Sequence, residues 1–194
     1  MKKNYCEPDR NNQHNYMLDT SAYNHIVKSP ERIDTVKQSI SLGFCYYSTA
    51  LQDNELSGKG AKTYNKDCIS VVKRPMPLEM KQKFDLLDIE LNVKLVPEIA
   101  SFMRDHARVD GTNRFLAPDS LEGQLYKKIE GKNKSESNRP FEYSYDAMIA
   151  EAAVHYGCVL VSDDGTLKDL VNSFLPNSAI TTDELIETIN TFKS

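Results

Sequence analysis

SYDAMIAEAAVHYGCVLVSDDGTL, Ser144 to Leu167, decides the fold. Ser144 suits an N-cap, its hydroxyl placed for the free amides of a first helical turn. Ala147, Met148, Ala152 and Tyr156, flanked by Ile149 and Ala153, repeat at helical spacing and form a broad apolar face. Gly157 suits the left-handed position that ends a helix. Cys158 to Val161 is short, apolar and rich in β-branched residues, as a strand buried on both faces requires. Ser162, Asp163 and Asp164 then stand where the chain leaves the sheet. The helix spans roughly 12 residues, or about 18 Å at 1.5 Å per residue. An αβ hairpin reverses direction over that length, so its helix start and strand end share one end of the unit. Asp146 is therefore expected near Asp163 and Asp164.

Working outward, Tyr16-Met17-Leu18 reads as a first strand, with Asp19-Thr20-Ser21 at its carboxyl end. Residues 22–28 are expected to be helical. Pro30 suits the first turn of a second helix with Ile33, Val36 and Ile40 on one face, and Gly43 ends it. Phe44 to Thr49 is an aromatic-rich strand, and Leu51 to Leu56 a helix carrying Glu55. Residues 59–77, rich in lysine, read as a basic insertion. A helix over 78–90, a strand at Val93–Val96 and a helix from Pro97 to Arg108 follow. Residues 112–143 form a long polar connection with one helix near 119–130. Beyond the opening stretch come a helix over 166–175, an edge strand at Ser178–Thr181 and a closing helix at Asp183–Phe192. Strands alternating with helices imply a mainly parallel sheet of four to five strands in an α/β fold.

Composition sets the outer bounds. The 194 residues, 40% hydrophobic and 27% charged, suit one globular domain. No apolar run approaches the length of a membrane span. The start, MKKNYCEPDRNNQHN, lacks the apolar core of a secretory signal, and residues 1–14 read as a polar, frayed tail. The four cysteines, Cys6, Cys45, Cys68 and Cys158, form no CxxC pair, and a reducing, cytoplasmic setting without membrane association is expected. A formal charge of −4 argues against a general polyanion binder, although carboxylates that hold cations would mask a local nucleic-acid site.

The acids at carboxyl ends of expected strands are Asp19 and the Asp163–Asp164 pair. Glu55 follows the second strand, and Asp146 leads the helix before the fourth. Open α/β sheets bind ligands outside those ends, where strand order reverses. Carboxylates crowded there raise one another's pKa unless a cation offsets their charge. Oxygen donors without Cys or His point to Mg²⁺ or Mn²⁺, the ions of metal-assisted phosphodiester hydrolysis. Taken singly, Asp19 is as readily a helix cap, Asp146 a first-turn acid facing the helix dipole, and Asp163-Asp164-Gly165 a turn. Their order and placement favour a common site. A receiver-type fold is disfavoured, since no second acid adjoins Asp19 and no lysine follows the last strand. A dehalogenase-type phosphatase would need an acid where Ser21 stands.

Four segments, MLDTS at 17–21, ELSG at 55–58, DAMIAEAA at 146–153 and LVSDD at 160–164, carry a resemblance to the PIN-domain nucleases, the kind found as toxins of bacterial toxin–antitoxin pairs. The resemblance covers most of residues 15–192. It implies a single PIN-like domain over 15–194, a three-layer α/β/α sandwich, with insertions at about 59–77 and 110–143. It also implies an endoribonuclease that cuts single-stranded RNA with Mg²⁺ or Mn²⁺. Catalytic residues carried over are Asp19, Glu55, Asp146 and Asp164, with Asp53 the alternative second acid. Asp19, Asp146 and Asp164 would hold metal, with Asp163 a supplement. Ser21 and Ser162 would orient a carboxylate or water. Expected partners are single-stranded or structured RNA, an antitoxin protein and a second copy of the chain. Phosphate contacts would come from Lys59, Lys62, Lys73, Arg74 and Arg139. The competing expectation is a PIN-like scaffold that binds RNA or protein without cutting.

Overall fold

The strands alternate between two cores. Tyr16 and Leu18 of the first strand point into one apolar cluster, and Met17 between them points into another. Tyr46 and Tyr47 divide in the same way, as do Val161 and Leu160. A strand's side chains alternate faces, so this split requires helices on both sides of one sheet. The computed structural model describes residues 5–50, 52, 78–97, 99–101, 114–116, 120–136 and 144–193. It is a three-layer α/β/α sandwich.

The elements follow in order: β1 (Asn15–Leu18), α1 (Thr20–Ile26), α2 (Pro30–Ser39), β2 (Cys45–Ser48), α3 (Leu78–Glu90) and β3 (Lys94–Leu95). Then come β4 (Ile99–Ser101), β5 (Arg114–Leu116), α4 (Leu121–Glu136), α5 (Ser144–Tyr156), β6 (Val159–Val161), α6 (Gly165–Phe174), β7 (Ala179–Ile180) and α7 (Thr182–Lys193). The main sheet has five parallel strands in the order β3-β2-β1-β6-β7. Helices α1, α2, α3 and α7 cover one face through Tyr23, Ile26, Val36, Phe84, Leu87, Leu185 and Ile189. Helices α4, α5 and α6 cover the other. Among the described residues no helix is long and apolar enough to cross a membrane.

The opening stretch folds as helix, turn and strand, with Ser144 the first residue of the helix and not its N-cap. In α5, Ala147, Ile149, Ala150, Ala152 and Ala153 are buried. The small volume of the four alanines lets the helix sit close on the sheet. Gly157 takes φ 66 at the turn, a left-handed value that favours glycine. Burial pushes the Cys158 thiol up to about 12, with Cys45 nearby adding to the rise, so it is a protonated apolar residue at neutral pH. Pro30 stands at the start of α2, and Ser29 accepts the Arg32 amide as its N-cap. Gly43, at φ 88, closes the short 3-10 turn that follows.

Three expectations change. Ile40 does not continue the buried face of α2, because it begins the 3-10 turn and is exposed. Residues 99–101 are strand, not helix. Ile99, Ala100 and Ser101 pair in parallel with Arg114, Phe115 and Leu116, and that ladder overrides the local helical spacing. Residues 5–14 are not a frayed tail. Tyr5 bridges to Leu95, and the Cys6 amide donates to the Leu95 carbonyl, which covers the exposed edge of β3. Asn15 donates to the Asp9 carbonyl, Asn12 to that of Gly43 and Arg10 to that of His155. The polar composition of the segment reflects this hydrogen bonding to backbone, which hydropathy alone does not register. Residues 59–77, and the second acid with them, lie outside the described residues.

Candidate functional site

Strand order reverses between β1 and β6. The chain leaves β1 for α1 on one face of the sheet and leaves β6 for α6 on the other. The two connections part and open a crevice at the carboxyl ends of the paired strands. Asp19 follows Leu18 into that crevice, and its amide donates to the Val161 carbonyl at 2.9 Å.

Asp19 occupies the N-cap position of α1, yet its side chain makes no cap hydrogen bond. Its Oδ2 instead accepts the Ser21 hydroxyl at 2.7 Å and the Ser162 hydroxyl at 2.9 Å. The two serine oxygens lie 3.2 Å apart. Ser21 Oγ in turn accepts the Asp163 amide, and Ser162 Oγ the Asp164 amide. Backbone amides from the β6 end thus fix both serines, and the serines fix the carboxylate. Asp19 is only 4% exposed. A buried carboxyl held in one orientation by two side-chain hydroxyls, one of them from beyond β6, and not bonded to the amides of its own helix is arranged for something other than capping.

The acids after β6 take separate roles. Asp164 is the N-cap of α6, and its Oδ1 accepts the amides of Thr166 at 2.8 Å and Leu167 at 3.1 Å. Asp163 joins three elements. Its Oδ1 accepts the Thr182 amide, and its Oδ2 accepts the Thr182 hydroxyl at 2.6 Å and lies 2.9 Å from His25 Nδ1. Both oxygens of Asp163 are engaged in holding α7 and α1 to the end of β6. Asp146 stands in the first turn of α5, half-buried, at the same end of the sheet.

At the neighbouring strand, Gln52 is fully buried. Its Nε2 donates to the Leu18 carbonyl and its Oε1 accepts the Thr49 amide, tying the ends of β1 and β2 together. Ser48 Oγ and Thr49 Oγ1 are buried and have no hydrogen-bond partner among the described residues. Glu55, Asp53, Lys59, Lys62, Lys73, Arg74 and Arg139 lie outside the described residues. Tyr23 of α1 is buried against Phe84 and donates its hydroxyl to Asp88. It packs.

Neither models of known protein families nor curated proteins match this chain.

The carboxylate and hydroxyl oxygens at the switch point suit a hard cation in donor type. Among the described residues no group of three or more His, Cys, Asp or Glu side chains is placed to hold a metal ion. Of the acids expected to hold one, Asp19 and Asp146 stand at that end of the sheet, Asp164 follows β6 there as a helix cap, and the second acid lies outside the described residues. Sequence reasoning passed over Gln52, Thr49, His25 and Thr182. The first two carry a signal, the Thr-x-x-Gln spacing of a capping box at 49–52. His25 and Thr182 carry none, since only the fold brings them to Asp163.

Proposed function

We propose that this chain is a metal-dependent endoribonuclease of PIN type that hydrolyses phosphodiester bonds in single-stranded RNA. One observation carries the reading: a buried aspartate at the switch point stands at a helix cap without capping it and is oriented by Ser21 and Ser162. Asp19, Asp146 and Asp164 would hold Mg²⁺ or Mn²⁺, with Glu55 or Asp53 as the fourth acid. The ion, when bound, supplies positive charge to the phosphate and acidifies the attacking water. The chain's own part is placement. Ser21 and Ser162 keep Asp19 in one rotamer, so little reorganisation is needed when the ligand arrives. Asp163 holds the β6 end against α1 and α7, which keeps Ser162 and Asp164 in register with Asp19.

The test is cleavage of a labelled single-stranded RNA with Mn²⁺. Asp19→Asn keeps the shape and one acceptor for the serines but loses the charge. Its cleavage should fall on the order of a hundredfold or more, the scale of losing one electrostatic contact to a transition state. Mn²⁺ should raise the melting temperature of the wild type and not that of the variant. Equal cleavage by both proteins rejects the assignment of Asp19.

A second reading is a PIN-like scaffold that binds RNA or a protein partner without cutting. The cap made by Asp164 favours it, because Oδ1 is engaged by two amides. Wild-type protein that binds RNA and leaves it intact with Mg²⁺, Mn²⁺ and other divalent ions would select this reading.

A further inference from the structure

We infer that Thr49 is a further binding residue of the crevice, its hydroxyl holding water on the divalent cation at Asp19. The inference rests on the metal-dependent reading above and adds a residue that neither the acidic pattern nor the PIN resemblance assigns.

The register places Thr49 beside Asp19. Asn15, Tyr16 and Met17 pair with Cys45, Tyr46 and Tyr47. Two residues further along each parallel strand stand Asp19 and Thr49, on strands about 4.8 Å apart. Alternation puts both on the face that carries Met17 and Tyr47, the face covered by α5. Ser162, one residue after Val161, shares that face and bonds Asp19 directly. Thr49, Asp19 and Ser162 therefore form a row across the ends of β2, β1 and β6, on the side where α5 begins with Asp146.

Local chemistry gives the second, independent observation. Ala50 and Gln52 are helical, so Thr49 stands at an N-cap with Gln52 three residues on. In a capping box the glutamine bonds the cap amide, and the threonine hydroxyl bonds the amide at the third helical position. Only the first half forms. Gln52 accepts the Thr49 amide, but Thr49 Oγ1 has no partner among the described residues, although Thr49 is 1% exposed. A buried hydroxyl that leaves its cap unmade needs a partner that the described residues do not supply. Asp19 also declines its cap, and it does so in favour of the crevice. Mg²⁺ and Mn²⁺ at carboxylate sites keep several waters, which a neutral hydroxyl can hold by accepting a hydrogen bond from one of them. Ser48, the other buried hydroxyl without a partner among the described residues, alternates to the opposite face and is not part of the row.

The experiment is a Mn²⁺ titration of the full chain, followed by calorimetry and thermal unfolding, with Thr49→Val and Thr49→Ser. Valine matches the shape and removes the hydroxyl. Thr49→Val should melt above wild type in EDTA, because it deletes a buried polar atom that has no partner there. It should also bind Mn²⁺ tenfold or more weakly, the usual effect of losing a group that supports a metal's ligands. Thr49→Ser should bind within a few-fold of wild type. Unchanged Mn²⁺ affinity in Thr49→Val overturns the inference and leaves the metal reading standing. So does an equal loss in Thr49→Ser. A lower melting temperature of Thr49→Val in EDTA overturns it too, since the hydroxyl would then be bonded within the fold. A wild type that binds no Mn²⁺ removes the metal reading itself, and Thr49's role with it.

Discussion

At the scale of single residues, two neighbouring acids that look alike in sequence do different work. Asp163 and Asp164 both follow β6, and each alone reads as part of a turn. Asp164 caps the helix that follows, a local role legible from its position before Gly165 and Thr166. Asp163 is occupied by partners 19 and 138 residues away, Thr182 and His25, which no local pattern announces. Thr182 is buried, so removing Asp163 leaves an amide and a hydroxyl without acceptors. Asp163→Ala should therefore cost about 2–6 kcal/mol of stability, read by urea unfolding, at about 1–3 kcal/mol for each of the two buried groups left unsatisfied. The Mn²⁺-dependent rise in melting temperature should survive the substitution. A variant that keeps its stability and loses the metal response would make Asp163 a ligand and reverse the division of labour between the two acids.

At the scale of elements, helix ends are where side chains bind the backbone most densely. Residues 181–184, TTDE, form a complete capping box at the start of α7. Glu184 accepts the Thr181 amide at 2.6 Å, and Thr181 Oγ1 accepts the Glu184 amide at 3.1 Å. The Lys168 ammonium also pairs with Glu184 and ties α6 to α7. The Lys168 contact, followed by the Thr181 amide, holds the Glu184 carboxyl below its ordinary value. A carboxyl whose pKa is lowered by folding stabilises the protein fully above its unfolded pKa and stops doing so as pH falls through the lowered one. Glu184→Ala should therefore destabilise by about 1 kcal/mol at neutral pH, the scale of a lost cap. The difference from wild type should shrink on acidification through the ordinary glutamate range. A gap that stays constant down to pH values below that range would show that the charge of Glu184 contributes nothing. The same motif at 49–52 is half made, and the missing half is the reason to look at Thr49.

At the scale of the whole molecule, the sheet's unprotected edge explains the amino-terminal segment. β3 would end the sheet with open amides and carbonyls, and Tyr5 and Cys6 occupy them. Deleting residues 1–12 should cost about 2–4 kcal/mol, from four hydrogen bonds at about 1 kcal/mol each, the Cys6, Arg10, Asn12 and Asn15 contacts. Chemical denaturation of the truncated chain checks this, and an unchanged midpoint would return the segment to a frayed tail. The βα rhythm, the parallel sheet and the α5–β6 hairpin were legible because period and turn chemistry are local: alanines at helical spacing, Gly157 at the turn, a β-branched run. The strand at Ile99–Ser101 was not, because its pairing with Arg114–Leu116 outweighs a helical pattern in its own sequence. By itself the sequence determined the βα rhythm of the main sheet and which acids leave strand ends. Only the tertiary structure decided what holds each of those acids. A carboxylate's role depends on what lies within about 3 Å of its oxygens. For Asp19 that includes Ser162, 143 residues away, and for Asp163 it is the start of the last helix.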